Sequence, residues 1–206
     1  MPIQPEDFYD DIDKSWDDTR ERLRDAVTNA KSKYRTGNLS YLDGDVPHIR
    51  TVVLRGASDD LSHIHFHTDY RSSKVKALSK HPQCNFHFYV PDDKLQIVAT
   101  GTAIVHYQDG ITQAAWDKTR RLSKRCYLAD PAPGTQSDIP TAGFPEHFQN
   151  NTHKDDDAEA GYRNFCVVKI HVKNWDRVYL RSTGNRRIKY DFKDNQNTPE
   201  GRWLVP

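Results

Sequence analysis

Two short segments of the chain concentrate residue types that bind phosphate. Residues 48–55 read His-Ile-Arg-Thr-Val-Val-Leu-Arg, so Arg50 and Arg55 bracket an apolar strand. Residues 67–74 leave a predicted strand and enter a predicted helix with a threonine, two serines, an arginine and a lysine. Free backbone N–H groups at a helix start, together with hydroxyls and cations, can hold a phosphomonoester. From the residues alone, ordinary ion pairs of the two arginines at a barrel end are the alternative.

The elements that must position these segments are mostly short strands bounded by turn residues. The predicted strands cover residues 38–42, 48–55, 63–68, 84–90, 95–107, 162–172, 176–181, 187–193 and a short stretch around Trp203. Many short strands with few helices predict a mainly β, α+β protein built on a closed or nearly closed antiparallel barrel.

Three helices are predicted to flank this barrel. Residues 1–36 hold an amphipathic helix that Ser15 caps and Gly37 ends, and residues 72–80 and 110–128 form two more. We expect a single domain over residues 1–206, interrupted by a long loop excursion over residues 129–161, which is rich in proline, glycine and polar residues.

Composition and charge exclude several classes of protein. The 206 residues carry 30 basic and 29 acidic side chains, and a net charge of +1 argues against a nucleic-acid binder. Three separated cysteines predict neither a disulfide framework nor a zinc site, which fits a reducing compartment. The acidic first twenty residues do not resemble a signal peptide, and no stretch of 18 apolar residues occurs. We therefore expect a cytoplasmic protein without a membrane partner.

A histidine face on one strand invites a metal-site interpretation. His63, His65 and His67 alternate along the strand and share one face, a spacing that can bind metal. No fourth ligand is evident, and such residues are more often the polar outer face of a barrel strand, so we expect no metal. Haem is a weaker alternative.

Four segments, taken in order and spacing, resemble the pyridoxamine 5′-phosphate oxidase family. They are Arg50-Thr51-Val52-Val53-Leu54-Arg55, Phe66-His67-Thr68-Asp69-Tyr70-Arg71-Ser72-Ser73-Lys74, Phe86-His87-Phe88-Tyr89 and Gln96-Ile97-Val98-Ala99-Thr100-Gly101. The resemblance implies an FMN-binding split β-barrel with flanking helices. The chain is most similar to the branch of the family that carries the Thr-Asp-Tyr-Arg-Ser segment.

The resemblance also implies how FMN would be held. Arg50 and Lys74 would bind the phosphate. Val52 and Val53 would face the flavin ring through their backbones. Gln96 would contact the flavin of a partner subunit. FMN would therefore lie at a homodimer interface. The full predicted cofactor set is Arg50, Thr51, Val52, Val53, Arg55, His67, Thr68, Arg71, Ser72, Ser73, Lys74 and Gln96.

The substrate region departs from the family. Arg181 stands where the family has a tryptophan against the flavin, and Lys189 stands where the family's Arg-x-His motif has its histidine. The resemblance gives Arg55 and Arg187 catalytic roles. It makes Trp116, Arg120, Arg187 and Lys189 the candidates for substrate binding. From the residues alone, Trp116 is also a packing anchor, and the basic side chains from Arg120 to Arg125 are also a solvated helix face.

The function that the resemblance implies is an oxidoreductase using FMN and dioxygen on a small molecule, with a phosphorylated B6 vitamer as one candidate. Two alternatives remain: an FMN-binding protein without B6 oxidase turnover, acting as a flavin carrier or redox sensor, and an FMN-dependent reductase. No Gly-x-Gly-x-x-Gly fingerprint is present for a Rossmann nicotinamide site.

Overall fold

The computed structural model describes residues 10–145, 155–193 and 198–206, with the backbone alone for residues 155–157. Its strands are β1 Thr36–Asp43, β2 Val46–Ala57, β3 His63–Asp69, β4 Gln83–Val90, β5 Leu95–His106, β6 Phe165–Tyr179, β7 Arg186–Asp191 and β8 Glu200–Leu204. Its α-helices are α1 Ile12–Thr28, α2 Ser73–Lys80, α3 Gly110–Lys118 and α4 Arg121–Lys124, and two 3-10 helices cover Arg125–Tyr127 and Asp155–Asn164. None of the described helices is long and apolar enough to cross a membrane.

Six strands close into an antiparallel barrel, as the sequence predicts. The strand order is β3-β2-β1-β4-β5-β6, and pairing of β3 with β6 closes the ring. Strands β7 and β8 continue the sheet beyond β6. Every pairing is antiparallel, and alternate residues fill the interior with aromatic and aliphatic side chains, among them Phe66, Phe86 and Phe88.

Strand β6 corrects the prediction of two strands at residues 162–172 and 176–181. It is one strand of 15 residues that pairs with β3, β5 and β7. The polar pair at Lys173 and Asn174 looks like a turn in the sequence, but a register shift in the β5 ladder between Thr100 and Gly101 absorbs the irregularity at that point.

Helix α1 begins and ends earlier than predicted. Asp11, not Ser15, is the N-cap, and its carboxylate accepts a hydrogen bond from the backbone N–H of Lys14 at 3.0 Å. Ser15 lies inside the helix and is buried. Gly37 does not end the helix but lies in β1, where a Cβ atom would come within 2.2 Å of Cε1 of Phe86.

The predicted helix at residues 110–128 is broken into α3, α4 and a 3-10 turn. Asp109 starts α3 with a reciprocal capping box to Thr112. The predicted loop excursion at 129–161 is also partly wrong, because a 3-10 helix begins at Asp155 and runs into β6. Residues 146–154 of that excursion lie outside the described part of the chain.

A buried ion pair ties α1 to the barrel. Arg177 on β6 donates to Asp18 Oδ2 at 2.7 Å, to the backbone oxygen of Ser15 at 2.7 Å and to Thr19 Oγ1 at 2.6 Å. Both charged side chains are only 3% exposed. Asp18 also accepts from Arg22. Ser15, Asp18 and Thr19 are thus buried polar residues on the inner face of α1 that all accept hydrogen bonds from one guanidinium on the barrel.

We predict that Asp18→Ala destabilises the fold by about 3–5 kcal/mol, because it leaves the Arg177 guanidinium buried without a counter-charge. The matched control is Asp17→Ala on the same helix, where a 71% exposed carboxylate pairs with Arg20 and removal should cost less than about 1 kcal/mol. Urea unfolding of the two variants measures both values. Equal losses in the free energy of unfolding of the two variants would show that the buried pair is no more important than the exposed one.

Candidate functional site

The loop between β3 and α2 forms a compact polar cradle. β3 ends at Asp69, and α2 begins at Ser73 after an N-cap residue, Ser72, whose side chain makes no capping hydrogen bond. Thr68 and Ser72 are 9% and 3% exposed, so their hydroxyls lie beneath the surface at the helix start. These hydroxyls and the first N–H groups of α2 are donors that a bound anion could use.

Lys74 is the central cation of this cradle. Its ammonium donates to Thr68 Oγ1 at 2.9 Å and to Ser72 Oγ at 3.4 Å. Burial lowers the pKa of Lys74, and the positive charge of Arg50 lowers it further. Among the described residues no carboxylate lies within ion-pair distance of it. A half-buried ammonium held by two hydroxyls beside an arginine fits the phosphate group of FMN.

Arg50 reaches the cradle from β2. Its guanidinium is exposed and donates to the backbone oxygen of Ile49, and no ion pair to it occurs in the described chain. Its positive charge is close enough to lower the pKa of Lys74, and its contact with a phosphate stays a prediction. Thr51, also predicted to contact the cofactor, donates its hydroxyl to Asn38 Oδ1 at 2.9 Å.

Arg71 has a different place from the one predicted. It donates to both carboxylate oxygens of Asp69, at 3.1 and 2.8 Å, and to the backbone oxygens of Ala129 and Asp130. The hydrogen bond with Asp69 raises the pKa of Arg71. Its contacts fasten the loop after Tyr127 to the cradle and give no support to a direct role on phosphate.

One side of β2 is an open edge next to the cradle. β2 pairs with β1 over residues 46–53, but its ladder with β3 begins only at Leu54, opposite Phe66. The backbone of Val52 and Val53 therefore borders a gap in the barrel wall, where an edge strand offers hydrogen-bonding groups to a ligand. The resemblance described above implies a flavin ring at these backbone groups, and this placement stays a prediction.

A second concave region, here called the basic cavity, lies on the outer face of β3. It has a volume of about 770 Å³ and is bounded by the end of α1, by α3 and by strands β2, β3 and β6. Its cationic lining residues are Arg35, Arg55, Lys118, Arg120 and Lys169, and its histidines are His63, His65 and His67. The cavity thus holds Arg55, His67 and Arg120 from the predicted site.

The histidines of the basic cavity are neutral near pH 7. Burial lowers the pKa of His65 to about 4 and that of His67 to about 3, and neighbouring positive charges act in the same direction. The two rings stack at 5.7 Å. The His65 ring lies against Gly56, where a Cβ atom would come within 2.0 Å of its Cε1, so glycine is required there. No cluster of three metal-ligand side chains is found among the described residues.

A third region, the β5–β7 groove, holds the remaining predicted residues. Gln96, Arg187 and Lys189 line an open groove of about 500 Å³. Arg187 forms an ion pair with Asp176 at 2.7 Å, and this contact raises the pKa of Arg187. The groove lies on β5, β6 and β7, and two strands, β1 and β4, separate β5 from β2 in the sheet. One protomer therefore does not bring Gln96 to its own cradle.

Trp116 is a packing residue in this structure. Its indole is 1% exposed and contacts Phe165, Tyr127 and Tyr162 in a small aromatic cluster. Its Nε1–H donates to Glu159 at 2.5 Å. Contact with a substrate would require this cluster to open, so the packing interpretation of Trp116 fits the geometry and the substrate interpretation does not.

Sequence reasoning missed two residues that line the basic cavity. Arg35 resembles a C-terminal helix residue, but the helix ends at Thr28 and the arginine turns back onto the carbonyls of Ala26 and Val27. Lys169 faces the cavity only because β6 pairs with β3, opposite His65. No local pattern reveals either placement.

A protein-family match covers the first half of the chain. Residues 14–107 match the family described as pyridoxamine 5′-phosphate oxidase, FMN-binding domain. That stretch contains the cradle, the open edge of β2 and Gln96. None of the curated protein sequences matches the chain.

Several solved structures share the fold over most of the chain. A pyridoxamine 5′-phosphate oxidase-related, FMN-binding protein from Nostoc punctiforme is 20% identical, with a TM-score of 0.67 over 91% of this chain and 95% of that one. PhzG from Burkholderia lata, in complex with tetrahydrophenazine-1-carboxylic acid, is 12% identical, with a TM-score of 0.67 over 100% and 98%. A Clostridium acetobutylicum protein related to general stress protein 26 is 10% identical, with a TM-score of 0.53 over 86% and 98%.

The matched segment, the closed six-stranded barrel and a cradle that fits a phosphate agree with one another. Residues 14–107 therefore match the FMN-binding domain of the pyridoxamine 5′-phosphate oxidase family, and the solved structures with that description share the fold.

Proposed function

We propose that the protein is a homodimeric, FMN-dependent oxidoreductase whose substrate is a small molecule other than a B6 phosphate. The observation that carries the FMN site is Lys74, a half-buried ammonium with two hydroxyl partners and no carboxylate partner in the described chain. When bound, FMN accepts a hydride and passes its electrons to dioxygen or another acceptor. The protein's task is to hold and orient the flavin and its substrate.

The order of residues along β2 supports a single orientation for FMN. Arg50 lies at the cradle, Val52 and Val53 border the open edge, and Arg55 faces the basic cavity. Arg50 and Lys74 would hold the phosphate, with hydroxyls from Thr68 and Ser72. The ring would lie along the open edge, and the Arg55 guanidinium would supply a positive charge near it. A planar ring binds well in such a slot, which has few polar anchors.

The need for a second subunit rests on the β5–β7 groove. Gln96, Arg187 and Lys189 lie together but apart from the protomer's own cradle, so a partner chain is the simplest source of these groups for each flavin. The β1–β2 hairpin also exposes apolar side chains, with Val46 58% and Ile49 62% exposed. Burying such a surface in a dimer would be favourable.

The substrate is proposed to differ from pyridoxine 5′-phosphate. Lys189 is a flexible point charge where the family's motif has an imidazole, and Arg187 is already paired with Asp176. Trp116 is buried in its aromatic cluster. The PhzG structure from Burkholderia lata is in complex with tetrahydrophenazine-1-carboxylic acid, so this fold can accommodate a carboxylic acid on a ring system.

A cytoplasmic location is part of the proposal. Its support is the three cysteines, all of which are free thiols: Cys84 and Cys166 are buried, and Cys126 is exposed. Burial raises the pKa of the Cys84 thiol to about 12, which keeps it unreactive. Free thiols fit a reducing compartment.

We predict that Lys74→Ala raises the Kd for FMN by about ten- to a hundredfold, because one charge-assisted contact to the phosphate is lost. Lys80→Ala is the matched control, since Lys80 is an exposed lysine on the same helix. Quenching of flavin fluorescence measures both affinities, and thermal melting checks that each variant is folded. Equal affinities for the two variants would place the phosphate elsewhere.

We predict that the FMN-saturated protein oxidises pyridoxine and pyridoxamine 5′-phosphates with kcat/KM well below about 10⁴ M⁻¹s⁻¹. The reason is that the groups around Lys189 and Trp116 differ from those of a B6 oxidase. Steady-state peroxide release at known FMN occupancy measures this value. Turnover at or above that level would make the protein an ordinary B6 oxidase. Rapid anaerobic oxidation of a nicotinamide donor would instead favour a reductase.

A further inference from the structure

We propose that Tyr127 is a positioning residue of the flavin site, whose phenol donates a hydrogen bond to an acceptor atom of the ring bound in the gap between β2 and β3. The inference rests on the proposed FMN site and goes beyond it. Tyr127 lies outside the four segments that carry the family resemblance and outside the matched residues 14–107. The cradle holds the phosphate, whereas this tyrosine orients the ring.

Tyr127 begins a short strap, residues 127–130, that is fastened beside the cradle. Asn164 donates from Nδ2 to the backbone oxygen of Tyr127 at 2.8 Å. Arg71, in the cradle loop, donates to the backbone oxygens of the last two strap residues, at 2.8 and 2.7 Å. The loop that forms the phosphate site therefore also fixes the position of the tyrosine.

The ring of Tyr127 lies on the outer face of the barrel. It contacts Phe165 edge to face, with the two ring centroids 5.0 Å apart. Phe165 packs with Trp116 in the aromatic cluster outside the barrel core. In the β3–β6 ladder Phe165 lies opposite Asp69, the last residue of β3. Tyr127 is therefore placed beside the end of β3 that borders the gap.

Strand β2 borders the gap from the other side. Leu54 is buried in the core, and Val52 packs against that core. Because side chains alternate along a strand, Val53 and Arg55 point to the outer face, and Arg55 lines the basic cavity there. Tyr127 and the outward residues of β2 thus lie on the same face of the barrel, on either side of one opening.

The hydroxyl of Tyr127 has no hydrogen-bond partner in the part of the chain that the structure describes, although its phenol is half-buried. Other phenols are paired. Tyr34 donates to Asp93, and Tyr190 donates to the backbone oxygen of Ile12, each at 2.8 Å. Because the hydroxyl of a buried tyrosine usually finds a partner, the free hydroxyl of Tyr127 points to a ligand atom.

The surroundings of Tyr127 keep its phenol protonated. Burial raises the pKa of Tyr127, and the nearby positive charge of Arg55 opposes this rise only in part. At neutral pH the hydroxyl is therefore a donor. Beside the Arg55 guanidinium it suits an oxygen or nitrogen atom that carries partial negative charge. The carbonyl oxygens and ring nitrogens of a flavin are acceptors of this kind.

Flavin affinities of Tyr127→Phe test the contact, with FMN and riboflavin as probes. Loss of one hydroxyl should raise the Kd for FMN by about two- to tenfold. Riboflavin lacks the phosphate, so we expect the same relative loss for it, whereas Lys74→Ala should weaken FMN alone. The matched control is Tyr162→Phe in the same aromatic cluster, whose hydroxyl already bonds to Thr112 Oγ1 at 3.2 Å. It should leave both affinities unchanged.

NMR spectra of protein-bound FMN labelled with ¹³C and ¹⁵N identify the contacted atom. In Tyr127→Phe we expect one ring carbonyl or ring nitrogen signal to move and the phosphorus signal to stay in place, while Tyr162→Phe moves neither. Unchanged ring signals in Tyr127→Phe, equal changes in both variants, or a loss of affinity for FMN but not for riboflavin would overturn the proposal and leave the FMN site standing. Failure of the wild type to bind FMN would refute the flavin site itself, and the role of Tyr127 with it.

Discussion

The pairing of one long strand with three others is the constraint on which the structure depends. β6 pairs with β3 to close the barrel, with β5 along its length and with β7 to extend the sheet. The same strand carries Arg177, which fastens α1, and Lys169, which faces the basic cavity. Closure by β6 therefore fixes both the helix that covers one side of the barrel and the cavity on its outer face.

The ladder between β2 and β3 leaves a gap in which a flavin could bind. β3 pairs with β6 along its whole length through one edge, and through the other edge it pairs with only the last part of β2, from Leu54 onward. The preceding residues of β2 keep one edge open, and the loop after β3 places Lys74 beside that edge. A β-barrel without such a gap would satisfy its own backbone and leave no slot for a planar cofactor.

Sequence reasoning predicted the strands and the cradle, which are features encoded by residues close together in the chain. Alternating apolar residues predict the strands, and the segment from Thr68 to Lys74 predicts the cradle. Both are short-range signals. The family resemblance pointed to FMN, and the match of residues 14–107 agrees with it. Asp11 was missed as the N-cap because Ser15 is an equally good capping residue in sequence, and only packing of the Ser15 side against Arg177 decides between them.

Contacts between residues far apart in the sequence could not be predicted. Arg71 lies within the predicted phosphate-binding segment, yet its partners Ala129 and Asp130 are almost sixty residues away, so its loop-fastening contacts could not be foreseen. Trp116 is a substrate-binding candidate through the resemblance alone, and its burial against Phe165 and Glu159 fits the packing interpretation drawn from the residues. The split between the cradle and the β5–β7 groove follows from strand order, which local patterns do not specify.

The central claim is that the cradle at the start of α2 holds the single phosphate of FMN. The most direct measurement is chromatography and mass analysis of the cofactor released on denaturation, after reconstitution with a mixture of FMN, FAD and haem. We expect FMN at one molecule per chain, retained by the wild type and lost from the double variant Arg50→Ala/Lys74→Ala. Release of haem or FAD in its place, or no retained cofactor, would contradict it.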